Sequence, residues 1–310
     1  QLRKSKTNKM DDKGETESGL NCDWAELTHE CLTNILSRLT LEDQWRGAMF
    51  VCKSWLQASK DSCLYSVFDL ESHFGSATES PMWWTPEFEI KIDAMLRSVV
   101  NWSDGSLAEI RVRHCSNRSL SLAAERCQNL EVLSIKSCPN VTDASIAKIA
   151  SGCPKLRELD VSYCYKISHE SLALIGRNCP HLQILNRNLM NPSQHVGIVP
   201  KEYMNACPQD GDSEAAAIGK FMPCVLHLEL QFSKLSAKGL ALISEGCLNL
   251  EYLDLSGCAN VTSQDITNAS SNIKNIKKPN FYNPRSVFHT ERYGHWRLYD
   301  ERFQTDVFRI

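Results

Sequence analysis

The sequence predicts an α/β protein: a right-handed solenoid with a parallel sheet on its concave side and helices on its convex side, preceded by a small all-α module. Three observations predict it. Leu130, Leu133, Ile135 and Cys138 stand at positions 1, 4, 6 and 9 of a unit that returns 26 residues later as Leu156, Leu159, Val161 and Cys164, and again as Leu250, Leu253, Leu255 and Cys258. After the first of these strands, Ile146, Ile149 and Ala150 recur at helical spacing. Ahead of the repeats, Leu27, Leu32, Ile35, Leu36 and Leu39 form a helical stripe.

At 310 residues, 42% hydrophobic and 23% charged, the chain is long enough for a large core and too apolar to be disordered throughout. Residues 1–20 are the exception: rich in Lys, Asp, Glu, Ser and Thr, they read as a disordered segment. Lys plus Arg number 34 against 37 Asp plus Glu, so the formal charge of −3 supplies no general attraction to nucleic acid or an anionic membrane. No apolar run reaches the roughly 18 residues of a membrane span, and the polar start is unlike a secretory signal. The expectation is a soluble intracellular protein of nucleus or cytoplasm, with no membrane partner.

The helical module takes residues 21–63, with order beginning near Trp24 and Thr28 suited to cap the first helix. Leu41, Trp45, Val51, Cys52 and Trp55 continue it through further short helices. About forty residues bury too little to stand alone, so this module should lean on a partner or on the solenoid. The solenoid takes residues 64–276. Leu64 to Leu70 reads as its first, irregular strand; a loop with Trp83 and Trp84 comes next, then a helix from Pro86 to about Asn101. Weaker copies of the repeat begin at Leu107, Leu182 and Val225, so successive units start 23, 26, 26, 43 and 25 residues apart. The unit at Leu182 departs from the pattern at Arg187 and Met190 and carries an insertion near 191–210. Long loops are often functional, and a tolerated surface insertion is the plain alternative.

Positions 4 and 6 share one side of a strand, and positions 3, 5 and 7 face the other way. The segment after each strand, for example Asp143 to Cys153, is a helix entered through Thr142 or Asp143 and ended at Gly152. The cysteines then fall in two columns: Cys115, Cys138, Cys164 and Cys258 after the strands, and Cys127, Cys153, Cys179 and Cys247 before the next unit. No C-x-x-C pair occurs, so the columns read as buried thiols rather than metal ligands or a disulfide framework.

These residues resemble the cysteine-containing class of leucine-rich repeats, most closely over residues 130–181. Residues from Leu27 to Trp55 are similar to the F-box: Leu27, Glu30, Leu32, Ile35, Leu39, Asp43, Val51, Cys52 and Trp55 fill its pattern, with Thr28 where that family usually has proline. Together they resemble F-box/leucine-rich-repeat proteins, plant members among them, over residues 24 to about 276. The resemblance implies a substrate receptor of an SCF-type cullin-RING ubiquitin ligase. Leu27, Glu30, Leu32, Ile35, Leu39, Trp45, Val51, Cys52 and Trp55 would then bind a Skp-type adaptor, and through it cullin and RING subunits.

The target protein would meet the outward strand positions: Arg111, Arg113, Val132, Ser134, Lys136, Glu158, Asp160, Ile184, Asn186, Asn188, His227, Glu229, Gln231, Tyr252 and Asp254. His195 and Tyr203 of the insertion join them. The sign runs from basic to acidic along this arc, which predicts a target of complementary charge segregation. A leucine-rich-repeat scaffold or inhibitor outside the ubiquitin pathway is the alternative, and a small molecule held at the insertion, as in some plant members, is a third reading.

Residues 277–310 break the repeat: Phe281, Tyr282, Trp296 and Phe303 alternate with Arg285, Arg292, Arg297 and Arg302. Such a mix can bind single-stranded nucleic acid, but Glu291, Asp300, Glu301 and Asp306 among them favour a packed cap or interaction tail. No phosphate-binding glycine loop, dinucleotide fingerprint, zinc-protease helix or nucleophile elbow occurs. His29, His114, His169, His181 and His227 fall singly and read as surface or satisfied core residues. The chain is expected to be non-catalytic and to use no cofactor or metal.

Overall fold

In the computed structural model the described residues are 24, 26–75, 80–190, 198–269 and 273–279. The expectations for residues 1–20, His195 and the segment after Pro279 lie outside them. No helix among the described residues is long and apolar enough to cross a membrane.

The chain enters through α1 (His29–Leu36), α2 (Leu41–Arg46) and α3 (Lys53–Ala58), with a 3-10 turn over Ala48–Phe50. Thr28 caps α1 by accepting from the Cys31 amide at 3.3 Å, and Thr40 caps α2 by accepting from Asp43 at 3.1 Å. The usual proline is thus replaced by a working cap. Leu32, Leu36, Ala48 and Ala58 close a small core of their own. The module is also fastened to the first turn of the solenoid. Trp45 lies 5.9 Å from Phe68 and edge-on to Trp102 at 6.4 Å, and the Tyr65 hydroxyl donates to the Ser59 carbonyl at 2.5 Å.

Then come β1 (Val67–Asp69), α4 (Glu71–Gly75) and α5 (Pro86–Trp102), and after them the repeating units. These are β2 (Glu109–Arg113) with α6 (Asn117–Arg126), β3 (Val132–Lys136) with α7 (Asp143–Gly152), and β4 (Glu158–Asp160) with α8 (His169–Asn178). The long unit holds β5 (Ile184–Asn186), α9 (Lys201–Asn205) and α10 (Gly211–Phe221). The last are β6 (His227–Glu229), α11 (Ala237–Gly246), β7 (Tyr252–Asp254), α12 (Ser263–Ala269) and β8 (Asn275–Lys277). The first strand is shorter than expected because Asp61 accepts from the Cys63 amide at 3.0 Å and turns Ser62–Leu64 into a 3-10 helix.

All strands are parallel and pair in chain order in one 8-stranded sheet. The register aligns Phe68, Ile110, Leu133, Leu159, Leu185, Leu228, Leu253 and Ile276 into one inward column. Two residues further on, Leu70, Val112, Ile135, Val161, Leu230 and Leu255 are all buried. Arg187 stands in the same column and is buried too.

The cysteine columns are in the core, and their packing shows why a thiol serves there. Cys164 donates to the Ile135 carbonyl at 3.0 Å and Cys258 to Leu230 at 3.1 Å, each reaching back one repeat. Cys153 reaches Cys127 and Cys179 reaches Cys153 in the same way, at 3.5 and 3.6 Å. Cysteine combines small apolar volume with a weak donor. Burial pushes Cys153 and Cys258 up to about 12, so the thiols stay protonated.

Candidate functional site

Two surfaces carry the residues singled out by sequence. On the helical module, a short amphipathic assembly must use one face for its own core. Leu32 is 1% exposed and Trp45 also 1%, so neither has side chain to offer a partner. The expectation for these two is corrected: Leu32 fills the gap between α1 and α3, and Trp45 belongs to the junction with the solenoid. Leu27, Leu39 and Trp55 pack against the small core from its edge, Ile35 and Cys52 are half-buried, and Glu30 is exposed. Glu30, at the free amides of the first turn of α1, is held below the usual carboxylate range by its own backbone amide and Thr28.

Three large apolar side chains of the module remain exposed among its polar ones. Val51 is 56% exposed and its neighbour Phe50 54%, while Trp24, whose carbonyl accepts from Trp55 Nε1 at 2.9 Å, is 58% exposed. Phe50 was missed by sequence reasoning. The available signal was the run Met49-Phe50-Val51-Cys52, in which a 3-10 turn buries Met49 and turns the next two outward.

The module is held by His29, whose Nε2 lies 2.6 Å from Asp61 Oδ2 across the step from α1 to the turn before β1. That contact, with the Cys63 amide, lowers Asp61 to about 2.

The second surface is the concave sheet face. Arg111 reaches across β3 to Glu158 with both terminal nitrogens, at 2.8 and 3.3 Å, and its Nε donates to Glu109. Arg113 pairs with Glu71, and Lys136 lies 3.4 Å from Glu71 and 3.3 Å from Asp160. At the other end Lys277 meets Asp254 at 3.3 Å and lies over the Tyr252 ring, on which His227 stacks at 4.2 Å. The expected sweep from basic to acidic is therefore corrected: cations and carboxylates are interleaved and paired across neighbouring strands.

The same pairing buries residues expected to face a target. Ser134 (1% exposed) stands between Arg111 and Asp160 in the strand register, and Asp160 (4%) is taken by Lys136 and the Ser162 amide. Asp254 (0%) is taken by Ser256 and Lys277, and Asn188 (6%) bonds Glu229 and the Gln231 amide. Arg111, Arg113, Val132, Lys136, Glu158, Ile184, Asn186, His227, Glu229, Gln231 and Tyr252 are half-exposed.

Tyr203 is also buried, which corrects its assignment to a target surface. It stacks on Tyr165 at 4.5 Å and lies tilted against Trp84 at 4.7 Å, so the described part of the insertion packs onto the segments that follow β1 and β4. Next to it His114, read as a satisfied histidine, is not one. Phe74, Trp83, Trp84 and Phe88 surround it, and neither ring nitrogen has a hydrogen-bond partner among the described residues. Burial lowers it to about 3.

The turns that lead off the concave face share one geometry. His114, Ser137, Tyr163 and Phe232 each have positive φ, at 55°, 52°, 64° and 59°, and Gly257 takes 76° at the same register. A Cβ on Gly257 would come within 2.4 Å of the Phe232 ring. Only glycine fits there.

Comparisons with known proteins agree with this architecture. The F-box domain model matches residues 24–67. The chain is 60% identical over 294 residues to F-box protein SKIP1 of Arabidopsis thaliana, covering 93% of this chain and 98% of that protein. It is 56% identical over 291 residues to Putative F-box/LRR-repeat protein 19 of the same plant, covering 92% and 97%. Among solved structures, the complex of Rad7 and Elc1 from yeast aligns with 60% of this chain and 44% of its own at TM-score 0.45 and 18% identity. A capped helical module matched as an F-box, a parallel sheet built from leucine-lined repeats, and identity over almost the whole length of two such proteins lead to one conclusion: the chain belongs to the plant F-box/leucine-rich-repeat family.

Proposed function

We propose that the chain is the substrate-recognition subunit of an SCF-type ubiquitin ligase, with the helical module bound to a Skp-type adaptor and the concave face bound to the target. One observation carries the adaptor half: Phe50 and Val51 stay more than half exposed on a module whose own core is already closed by Leu32, Leu36, Ala48 and Ala58. Full burial of an aliphatic or aromatic side chain contributes roughly 1.5–3 kcal/mol before the costs of association, so two or three such anchors hold a partner. In this reading Glu30, Ile35, Leu39, Cys52 and Trp55 frame those anchors.

The target half rests on the paired concave face, where half-exposed Arg111, Glu158, His227 and Tyr252 offer polar and aromatic contacts in fixed positions. Ion pairs already made within the sheet select a partner by shape and hydrogen bonding more than by net charge. The chain would contribute proximity, raising the effective concentration of the target beside a ubiquitin-charged enzyme bound to cullin and RING subunits.

The test is capture of a purified Skp-type adaptor. Wild type is expected to retain it, and Phe50→Asp with Val51→Asp to lose at least about tenfold in affinity, since two anchors exceed the 1.4 kcal/mol of one decade, with unchanged melting. Leu32→Asp should instead unfold the module. No capture by wild type, or equal capture by the double variant, overturns the proposal and favours a scaffold outside the ubiquitin pathway.

A further inference from the structure

We propose a second binding site, for one ammonium or guanidinium group, in the cavity between α8 and α10 where the clasp that ties successive helices together is missing. The clasp is a repeating device. An Asp or Asn on one helix bonds the N-cap residue of the next. Asp93 accepts from the Ser116 amide at 2.9 Å and its hydroxyl at 2.5 Å; Asn117 and Thr142 exchange two bonds at 2.9 Å. Asp143 accepts from the Ser168 amide at 2.8 Å and the Ser171 hydroxyl at 2.5 Å, and Asp212 accepts from the amide and hydroxyl of Ser236, both at 2.7 Å.

Between α8 and α10 both halves are replaced. His169 stands in the register of Asp143, and Gly211 in that of Thr142 and Ser168, so that the N-cap of α10 falls one residue earlier, on Asp210. The glycine is enforced, because a Cβ at Gly211 would lie 2.1 Å from the Leu235 amide nitrogen. No hydroxyl-bearing residue can stand there. The step from α11 to α12 also lacks the clasp, and both of these helix starts are closed from within their own helix: Thr262 donates its amide to Asp265 at 2.8 Å, and Asp210 accepts from the Ser213 amide at 3.0 Å.

At the broken step a cavity of about 290 Å³ opens to solvent, lined by Tyr165, Ser168, His169, Pro208, Asp210 and Glu214 among others. The side chain of Glu214 is only 5% exposed. Both bonds from Arg187, at 3.1 and 2.8 Å, fall on Oε1, and Oε2 has no hydrogen bond among the described residues. The Arg187 guanidinium cannot serve a ligand, since all five of its N–H groups are taken by Glu214, Val161, Cys164 and Ile167. Asp210, exposed on the lip, keeps its charge because bonds from Ser213 hold it below the usual carboxylate range. Lys166 also lines the cavity, with its Nζ donating to Asn140 Oδ1 at 3.4 Å.

The cavity thus offers the second oxygen of a carboxylate whose side chain is otherwise engaged by Arg187, a further carboxylate at its mouth and the aromatic wall of Tyr165. That set suits a cation with donors on an apolar stem. Its volume lies just below the roughly 300–1,000 Å³ typical of small-molecule pockets, enough for one side chain and too small for a folded element. An Arg or Lys of a partner polypeptide and a free polyamine share this chemistry. The inference does not rest on the adaptor reading: the site is far along the chain from the helical module and would act whether or not that module recruits a ligase.

The experiment titrates the full chain with an acetylated, amidated Gly-Arg-Gly peptide, the same peptide carrying uncharged citrulline, and spermidine, read by calorimetry. The Arg peptide is expected to bind at least tenfold more tightly than the citrulline peptide. Asp210→Asn, which keeps an acceptor for the Ser213 amide and so keeps the helix cap, should weaken it tenfold with unchanged melting and unchanged adaptor capture. Gln209→Trp, filling the mouth, provides a second variant with the same expected loss. Tighter binding of the peptide than of spermidine assigns the site to a polypeptide, and the reverse assigns it to free amines. No binding of either cation, equal binding of citrulline, or indifference to both substitutions overturns the proposal and leaves a water-filled gap.

Discussion

Arg187 is the most informative residue to perturb. It occupies a core column otherwise filled by Leu, Val and Ile, is 0% exposed, and is matched by Glu214, 27 residues away on α10. Removing one partner of a buried ion pair strands the other charge and costs about 3–5 kcal/mol, whereas replacing both by apolar residues of similar volume is often close to neutral. Arg187→Met and Glu214→Leu should each lower stability by that amount, and at about 2–4 °C per kcal/mol for a folded region of this size the melting point should drop roughly 6–20 °C. The double variant should lose far less. Its main uncompensated loss is the Ile167 carbonyl, which accepts from Arg187 at 2.9 Å, and an unmet buried acceptor costs about 1–3 kcal/mol. Urea unfolding followed by tryptophan fluorescence would give the cycle. Additive single and double variants, within the roughly 0.5 kcal/mol expected of independent sites, would refute the claim that the two act as one unit.

The remaining predictions concern backbone and pH. His114 is neutral in the fold at any pH above about 3, while in the unfolded chain it titrates near 6.5. Above 6.5 neither state takes the proton; below it only the unfolded chain does, so stability falls by up to about 1.4 kcal/mol per pH unit down to about pH 3. Wild type should therefore lose about 2 kcal/mol more than His114→Phe between roughly pH 7 and pH 5, and equal losses would count against the buried neutral imidazole. Gly246 is needed for close helix stacking, since a Cβ there would lie 1.9 Å from the Gly219 carbonyl oxygen. Gly246→Ala should cost roughly 1–3 kcal/mol as overpacking, and an unchanged urea midpoint would show that α10 and α11 separate freely.

Much of this was legible in the sequence because a repeat averages out local ambiguity. The spacing of Leu130, Leu133, Ile135 and Cys138 identified strand, side and unit length together, and the cysteine columns fell in the core as their periodicity implied. The helix after β3 began at Asp143, behind Thr142, as expected. Exposure was less legible. Leu32 fits a family pattern of apolar residues and Trp45 continues the helical module beside it, but a pattern does not say whether an apolar side chain meets its own chain or another. The concave residues failed in the same way: Asp160 and Asp254 alternate outward, yet Lys136 and Lys277 cover them.

The sequence by itself determined the period, the parallel order of the strands and the identity of the core, because those properties arise from apolar spacing over a few residues. Only the tertiary structure decided which polar residues are spoken for. The bonds that settle it join residues far apart in the chain, 47 between Arg111 and Glu158 and 27 between Arg187 and Glu214. Their formation depends on strand register and on how close one helix comes to the next, and neither distance is written in any local pattern.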